Sequence, residues 1–137
     1  MTVAFETILA TLTGRMAAFT GIEQDRIEYA NSPAADGSTF KPPAKGVWCA
    51  FEIQHASASF AGMADRPQYR RPGQVVIQCF CRRGKGLSAI NKLADALSDH
   101  FQAWSSGDIE CSEANQHVVG DFETYYQINV AVRFRAG

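Results

Sequence analysis

The chain lacks most of the features that announce a chemistry. Its net charge is only −1 over 137 residues, so no overall field draws it to DNA or to an acidic membrane surface. No run of about 18 apolar residues occurs, which leaves no candidate membrane-spanning helix. The opening residues, MTVAFETILATLTGRMAAF, have no early basic region and carry Glu6 inside their apolar stretch. They do not read as a secretory signal. Cysteine is sparse: Cys49, Cys79, Cys81 and Cys111 each lie inside an apolar, strand-like segment. That is not a disulfide scaffold, and it reads as reduced thiols in a cytosolic protein. Catalytic signatures are missing as well. There is no G-x-S-x-G elbow and no H-E-x-x-H, and Asp95 and Asp99 read as a solvated helix face rather than an acid–base pair. Glu110 and Glu113 fall on opposite faces if DIECSE is a strand. The expectation is a protein without catalysis and without a cofactor.

What is present describes an ordinary globular body. The composition is 46% hydrophobic and 20% charged, and a chain of this length buries roughly two-thirds of its unfolded surface. One domain over residues 1–137 is expected, with no internal repeat. Over residues 3–19, Phe5, Ile8, Leu9, Leu12, Met16 and Phe19 recur at helical spacing, with Gly21 as a stop. RIEYA reads as a short strand. NSPAADGSTFKPPAKG follows without periodicity and reads as a long loop over residues 31–46. VWCAFEIQH alternates, with Val47, Cys49, Phe51 and Ile53 on one face. ASASFAGMADRPQYRRPG reads as an extended, mobile connection ending at Pro72-Gly73.

A second strand, QVVIQCFCR, turns Val75, Ile77, Cys79 and Cys81 one way. The second helix is the clearest element: Leu87, Ile90, Leu93, Ala94, Leu97, Phe101 and Trp104 make one apolar stripe, while Lys92, Asp95, Asp99 and Gln102 fall away from it. DIECSE reads as a short strand. FETYYQINVAVRFR alternates over fourteen residues, with Phe122, Tyr126, Ile128, Val130, Val132 and Phe134 inward and Glu123, Gln127, Asn129, Arg133 and Arg135 outward. The fold class that follows is α+β: an antiparallel or mixed sheet with two amphipathic helices on one face and long mobile loops.

The stretch CFCRRGKG, Cys79–Gly86, invites three readings. Four inward thiolates can make a tetrahedral zinc site, but C-x-C within a strand splays its sulfurs, and free cysteine packs readily as a small apolar group. The histidines His55, His100 and His117 add no ligand spacing and read as surface or strand-end residues. A strand, then RRGKGLS, then a helix is a layout that binds anions, which makes a small anion- or nucleotide-binding module at residues 82–88 the alternative function. The P-loop pattern fails, with Cys79 at the first glycine and Gly86 at the Ser/Thr position, and the G-x-G-x-x-G pattern fails at its last glycine. The simplest reading is a strand end and a tight turn in which Gly84 and Gly86 take positive φ. Around it lies a broader basic group, Arg66, Arg70, Arg71, Arg82, Arg83 and Lys85, with Tyr69 inside it. Nucleic-acid binding requires such charges gathered on one face with stacking aromatics. A solvated surface or contacts to acidic groups on a neighbouring subunit are the other readings.

The linear plan resembles the tail-terminator family of long-tailed bacteriophages. The resemblance is carried by the N-terminal helix FETILATLTGRMAAF, by RIEYANSPAADGSTFKPPAKG, and by the aromatic-led strand VWCAFEI. The unit RRPGQVVIQCFCRRGKGLSAINKLADALSDHF and the closing YYQINVAVRFRAG complete it. Cys49 after Trp48, and the thiols Cys79 and Cys81, depart from the larger apolar residues expected there. The resemblance implies a structural protein of the virion tail, assembled in the bacterial host cytoplasm, with no membrane and no specific nucleic-acid partner. It implies a ring, typically of six subunits, at the head-proximal end of the tail tube. That ring stops tube polymerisation and joins the head-completion protein. The partners implied are further copies of the chain, the tail tube protein and the head-completion protein. The interface candidates are then Phe40 in the first long loop, with Arg66, Tyr69, Arg70, Arg71, Arg82, Arg83 and Lys85.

Overall fold

A computed structural model describes residues 2–34, 36–62 and 68–137. In chain order the elements are α1 (Phe5–Ala17), a 3₁₀ turn (Gln24–Arg26), β1 (Ile27–Tyr29), β2 (Trp48–His55), β3 (Ser59–Gly62), β4 (Gln68–Arg82), α2 (Ser88–Phe101), β5 (Ser105–Ser106), β6 (Ile109–Phe122) and β7 (Tyr125–Ala136). They form one mixed sheet in the order β1-β2-β4-β7-β6-β5, with β3 also paired to β4. β1 runs parallel to β2, and the remaining pairs are antiparallel. The expected α+β class with a mixed sheet and two helices on one face is what the chain adopts.

The helices bury the stripes their spacing dictates. Ile8, Leu12 and Met16 of α1 and Ile90, Leu93, Ala94, Leu97 and Phe101 of α2 are fully or nearly fully buried. They meet Cys49 and Phe51 of β2, Val75, Ile77, Cys79 and Cys81 of β4, and Ile128, Val130, Val132 and Phe134 of β7. Each buried aliphatic side chain contributes about 1.5–3 kcal/mol relative to exposure. The two helices also cap one another. Arg15 Nε donates to the His100 carbonyl at 3.0 Å, and His100 Nε2 donates to the Arg15 carbonyl at 2.7 Å. Both carbonyls lie in the last turn of their helices, where backbone donors run short. His100 is therefore a bridge between helices and not the surface residue expected. Its burial lowers its pKa, against the bond to the Arg15 carbonyl, which raises it.

All four thiols lie in this core, where they act as small apolar groups. Burial pushes Cys49 up to about 12 and Cys111 up to about 11. Cys79, directly across the β2–β4 pair from Cys49, is raised by its own burial and by that neighbour.

Several sequence expectations need correction. The fourteen-residue alternation of 122–135 is not one strand. Phe122 ends β6, Glu123 and Thr124 turn the chain, and β7 begins at Tyr125. Glu123 adopts φ 54° without being glycine, so no turn signal interrupts the period. Phe122, expected inward, is half-exposed, and Gln127, expected outward, is buried and donates to Asn129 Oδ1 at 2.8 Å. DIECSE is not a short strand but the start of the 14-residue β6. Its continuation escaped notice because it buries almost no side chain. Bulges between Cys111 and Ala114 and between Val118 and Gly120 also break its period. Among its described residues the connection ending at Pro72-Gly73 is largely strand: β3 pairs antiparallel with the first three residues of β4, and Pro72 and Gly73 lie inside β4, while residues 63–67 lie outside the described residues. On the helices, Phe5, Leu9 and Leu87 are exposed rather than part of the buried stripe, and Trp104 lies beyond the end of α2.

Candidate assembly surface

The face of the sheet opposite the helices carries the polar halves of the same strands. Along it lie Gln54 of β2, Gln74 and Gln78 of β4, and Gln127 and Asn129 of β7, bonded into short ladders such as Gln74 Nε2 to Gln54 Oε1 at 3.1 Å. At one end an aromatic group covers this face. Trp48 stacks on Phe80 with centroids 4.2 Å apart, Tyr125 meets both edge-on, and Phe40 from the long loop lies 5.5 Å from Trp48. The Trp48 indole N–H is buried without a partner.

At the other end, exposed ion pairs link β6 to β7: Arg135 with Glu110 at 2.8 Å and Arg133 with Glu113 at 3.2 Å. Glu110 and Glu113 share a face, contrary to the sequence expectation. The bulge after Cys111 sets two residues against Arg133 and flips Glu113 to the side of Glu110.

The expected interface residues do not form one patch. Arg66 lies outside the described residues. Tyr69, Arg70 and Arg71 sit near the start of β4, whereas Arg82, Arg83 and Lys85 sit at its far end. Twelve strand residues at about 3.3 Å each put these groups roughly 40 Å apart, so the basic residues cannot act as a single stripe on nucleic acid. Most are also engaged. Arg71 lies 3.8 Å over the Phe5 ring and donates to the Val3 carbonyl at 2.9 Å. Arg82 lies 5.4 Å over Tyr125, and Arg83 pairs with Asp121 at 3.4 Å. Arg70 Nε reaches the Gly137 carbonyl at 3.3 Å. Phe40 is half-buried against Trp48 and so anchors its loop.

The turn at 83–87 matches its simplest reading. Gly84 and Gly86 take φ 80° and 78°, and the Arg83 N–H donates to the Thr124 carbonyl at 3.1 Å. Lys85 is exposed on it, but Arg82 and Arg83 turn to Tyr125 and Asp121. A carboxylate thus stands where an anion-binding turn would need open cation, and the geometry lends the alternative module no support.

Sequence reasoning missed two concave surfaces. One, of about 560 Å³, lies between the β1–β2 edge and the loop after Tyr29, and its charged lining is Glu28 and Glu52. The other, of about 660 Å³, is lined by Arg70, Arg133 and Arg135 with Glu110 as its carboxylate. The outward alternation of Arg133 and Arg135 signalled the second. Nothing local signalled the first, because Glu28 and Glu52 meet only through the parallel β1–β2 pair. Phe60, which with Tyr69 makes up the aromatics of the 57–74 connection expected to meet partners, is exposed and packs edge-on against Tyr69 at 5.3 Å.

No curated protein matches the chain. A solved structure without a functional name is similar over 98% of this chain and 96% of the other, with a TM-score of 0.68 and 17% identity. At that identity the likeness establishes the fold alone. The model of a family described as phage tail terminator protein matches residues 7–134. That span takes in every element but the first residues of α1 and the last of β7, and the chain belongs to the phage tail terminator family and is a structural protein of the phage tail.

Proposed function

We propose that the chain, acting as one domain over residues 1–137, caps the phage tail tube as a ring, typically of six copies. The ring ends tube polymerisation at the head-proximal end and presents a docking surface to the head-completion protein. Assembly takes place in the cytoplasm of the bacterial host, and the ring stays in the virion. The observation that carries this reading is the family match over residues 7–134. Its physical support is the distribution of apolar groups. The helix-covered core takes most of them, and the exposed remainder lies on the helices (Phe5, Leu9, Leu87), on the β3–β4 arm (Phe60, Tyr69) and on the β6–β7 hairpin (Val118, Val119, Phe122). Such groups suit contacts made on assembly.

The test combines sedimentation velocity with electron microscopy, using the chain alone and with purified tail tube protein. Rings at high concentration or on tube ends, and tubes that stop growing when the chain is added, are expected. A chain that stays monomeric at high concentration, with and without tube protein, and leaves tube growth unchanged overturns the reading.

A further inference from the structure

We propose that the β3–β4 arm of one copy docks into the carboxylate-lined groove of a second copy; this rests on the ring-forming reading above. The arm reaches past the end of β2. The last β2 partner on β4 is Gly73, facing His55, while β3 pairs with β4 from Arg70 outward. It presents Phe60 at 54% exposure and Tyr69 at 41%, with their rings 5.3 Å apart, on one face, and Arg70 on the opposite face. Exposed aromatics and a guanidinium are the residue types that anchor protein interfaces.

The groove has the opposite character. Glu28 and Glu52 face it, together with Tyr29, Pro33 and Gln78, and among the described residues no lysine or arginine lines it. Neither carboxylate has a salt bridge among the described residues. The backbone beside it is also open, because the β1 pairing ends at Tyr29 opposite Phe51, which leaves Glu52–His55 of β2 without a strand on that side. An extended segment with two exposed aromatics and one arginine therefore meets an acidic groove bordered by a strand edge left unpaired among the described residues. Charge complementarity would set the orientation, and edge pairing would add main-chain hydrogen bonds. Arm and groove are different patches of one surface, so the contact is heterologous, the kind that propagates head to tail and can close as a ring.

The test uses full-length protein, alone and on tail tubes. A photo-reactive phenylalanine analogue at position 60 should cross-link between copies to peptides containing residues 28–39 or 50–52. Arg70→Glu, and separately Glu28→Lys with Glu52→Lys, should each weaken self-association on the order of ten-fold. Mixing the two variants should restore it, because the reversed charges face each other at alternate contacts. Unchanged assembly in both variants, no recovery on mixing, or cross-links to the tube protein or to other regions of the chain overturn this contact while leaving ring formation standing. A chain that forms no oligomer under any of these conditions overturns both.

Discussion

The two faces of the sheet are built from the same strands and do different work. On the helix-covered face, Val75, Ile77, Cys79, Ile128, Val130 and Val132 are almost inaccessible to solvent. On the other face, one residue along in each strand, the chain places Gln74, Gln78, Asn129, Arg133 and Arg135. Period-two alternation makes this division automatic, because neighbouring side chains point to opposite sides of a strand. Stability accordingly resides on one face, and the capacity to meet partners on the other and along the edges. The exception is informative. At the Trp48 end the open face buries an aromatic group of its own, because Phe40 from the long loop and Tyr125 from the closing hairpin cover it.

The largest effect should come from hollowing the covered face. Phe101→Ala removes a fully buried ring that stacks on Phe51 at 6.4 Å and should cost about 3–5 kcal/mol in urea unfolding. A cost below about 1 kcal/mol would show that the core is not where the packing places it. Next is Gly73→Ala, where strand and helix face meet. An added methyl there would collide with the Gln54 carbonyl and come within 2.7 Å of the Phe134 ring, so about 1–3 kcal/mol is expected.

The thiols sharpen the comparison through pH. Burial raises Cys49 from 9.0 to about 12, so the folded chain keeps its proton where the unfolded chain gives it up. The associated stability is present below pH 9 and is lost as pH rises from there towards 12. Wild type should therefore lose urea stability between pH 9 and 11 more steeply than Cys49→Ala, by up to about 1.4 kcal/mol per pH unit; parallel slopes would count against a buried neutral thiol. The smallest effect belongs to the open face. Arg135→Ala breaks a half-exposed ion pair with Glu110 and should cost about 0–1 kcal/mol, diminishing as salt is added.

Much of this was legible in the sequence. The α2 stripe from Ile90 to Phe101, the alternation of β2 and β4, and the positive-φ glycines of the 83–87 turn are local patterns, and local patterns survive folding. The α+β class follows from them. What escaped were features whose cause lies elsewhere in the chain. Glu123 turns a hairpin that no glycine or asparagine marks. β6 runs well past DIECSE because its far half pairs with β7 while burying almost no side chain. The basic residues from 70 to 85 look like one cluster along the chain, yet β4 holds Arg70 and Arg71 far from Arg82 and Arg83.

The sequence by itself determined which side of α2, β2, β4 and most of β7 faces the core, because side-chain direction is fixed by the backbone period and apolar groups must leave water. Only the tertiary structure decided which charges meet. Glu28 and Glu52 came together through a parallel pairing of β1 with β2, and Arg70 joined Arg133 and Arg135 through β4 and β7. Strand neighbours are set by how the whole sheet closes over its helices, and no short window of residues contains that information.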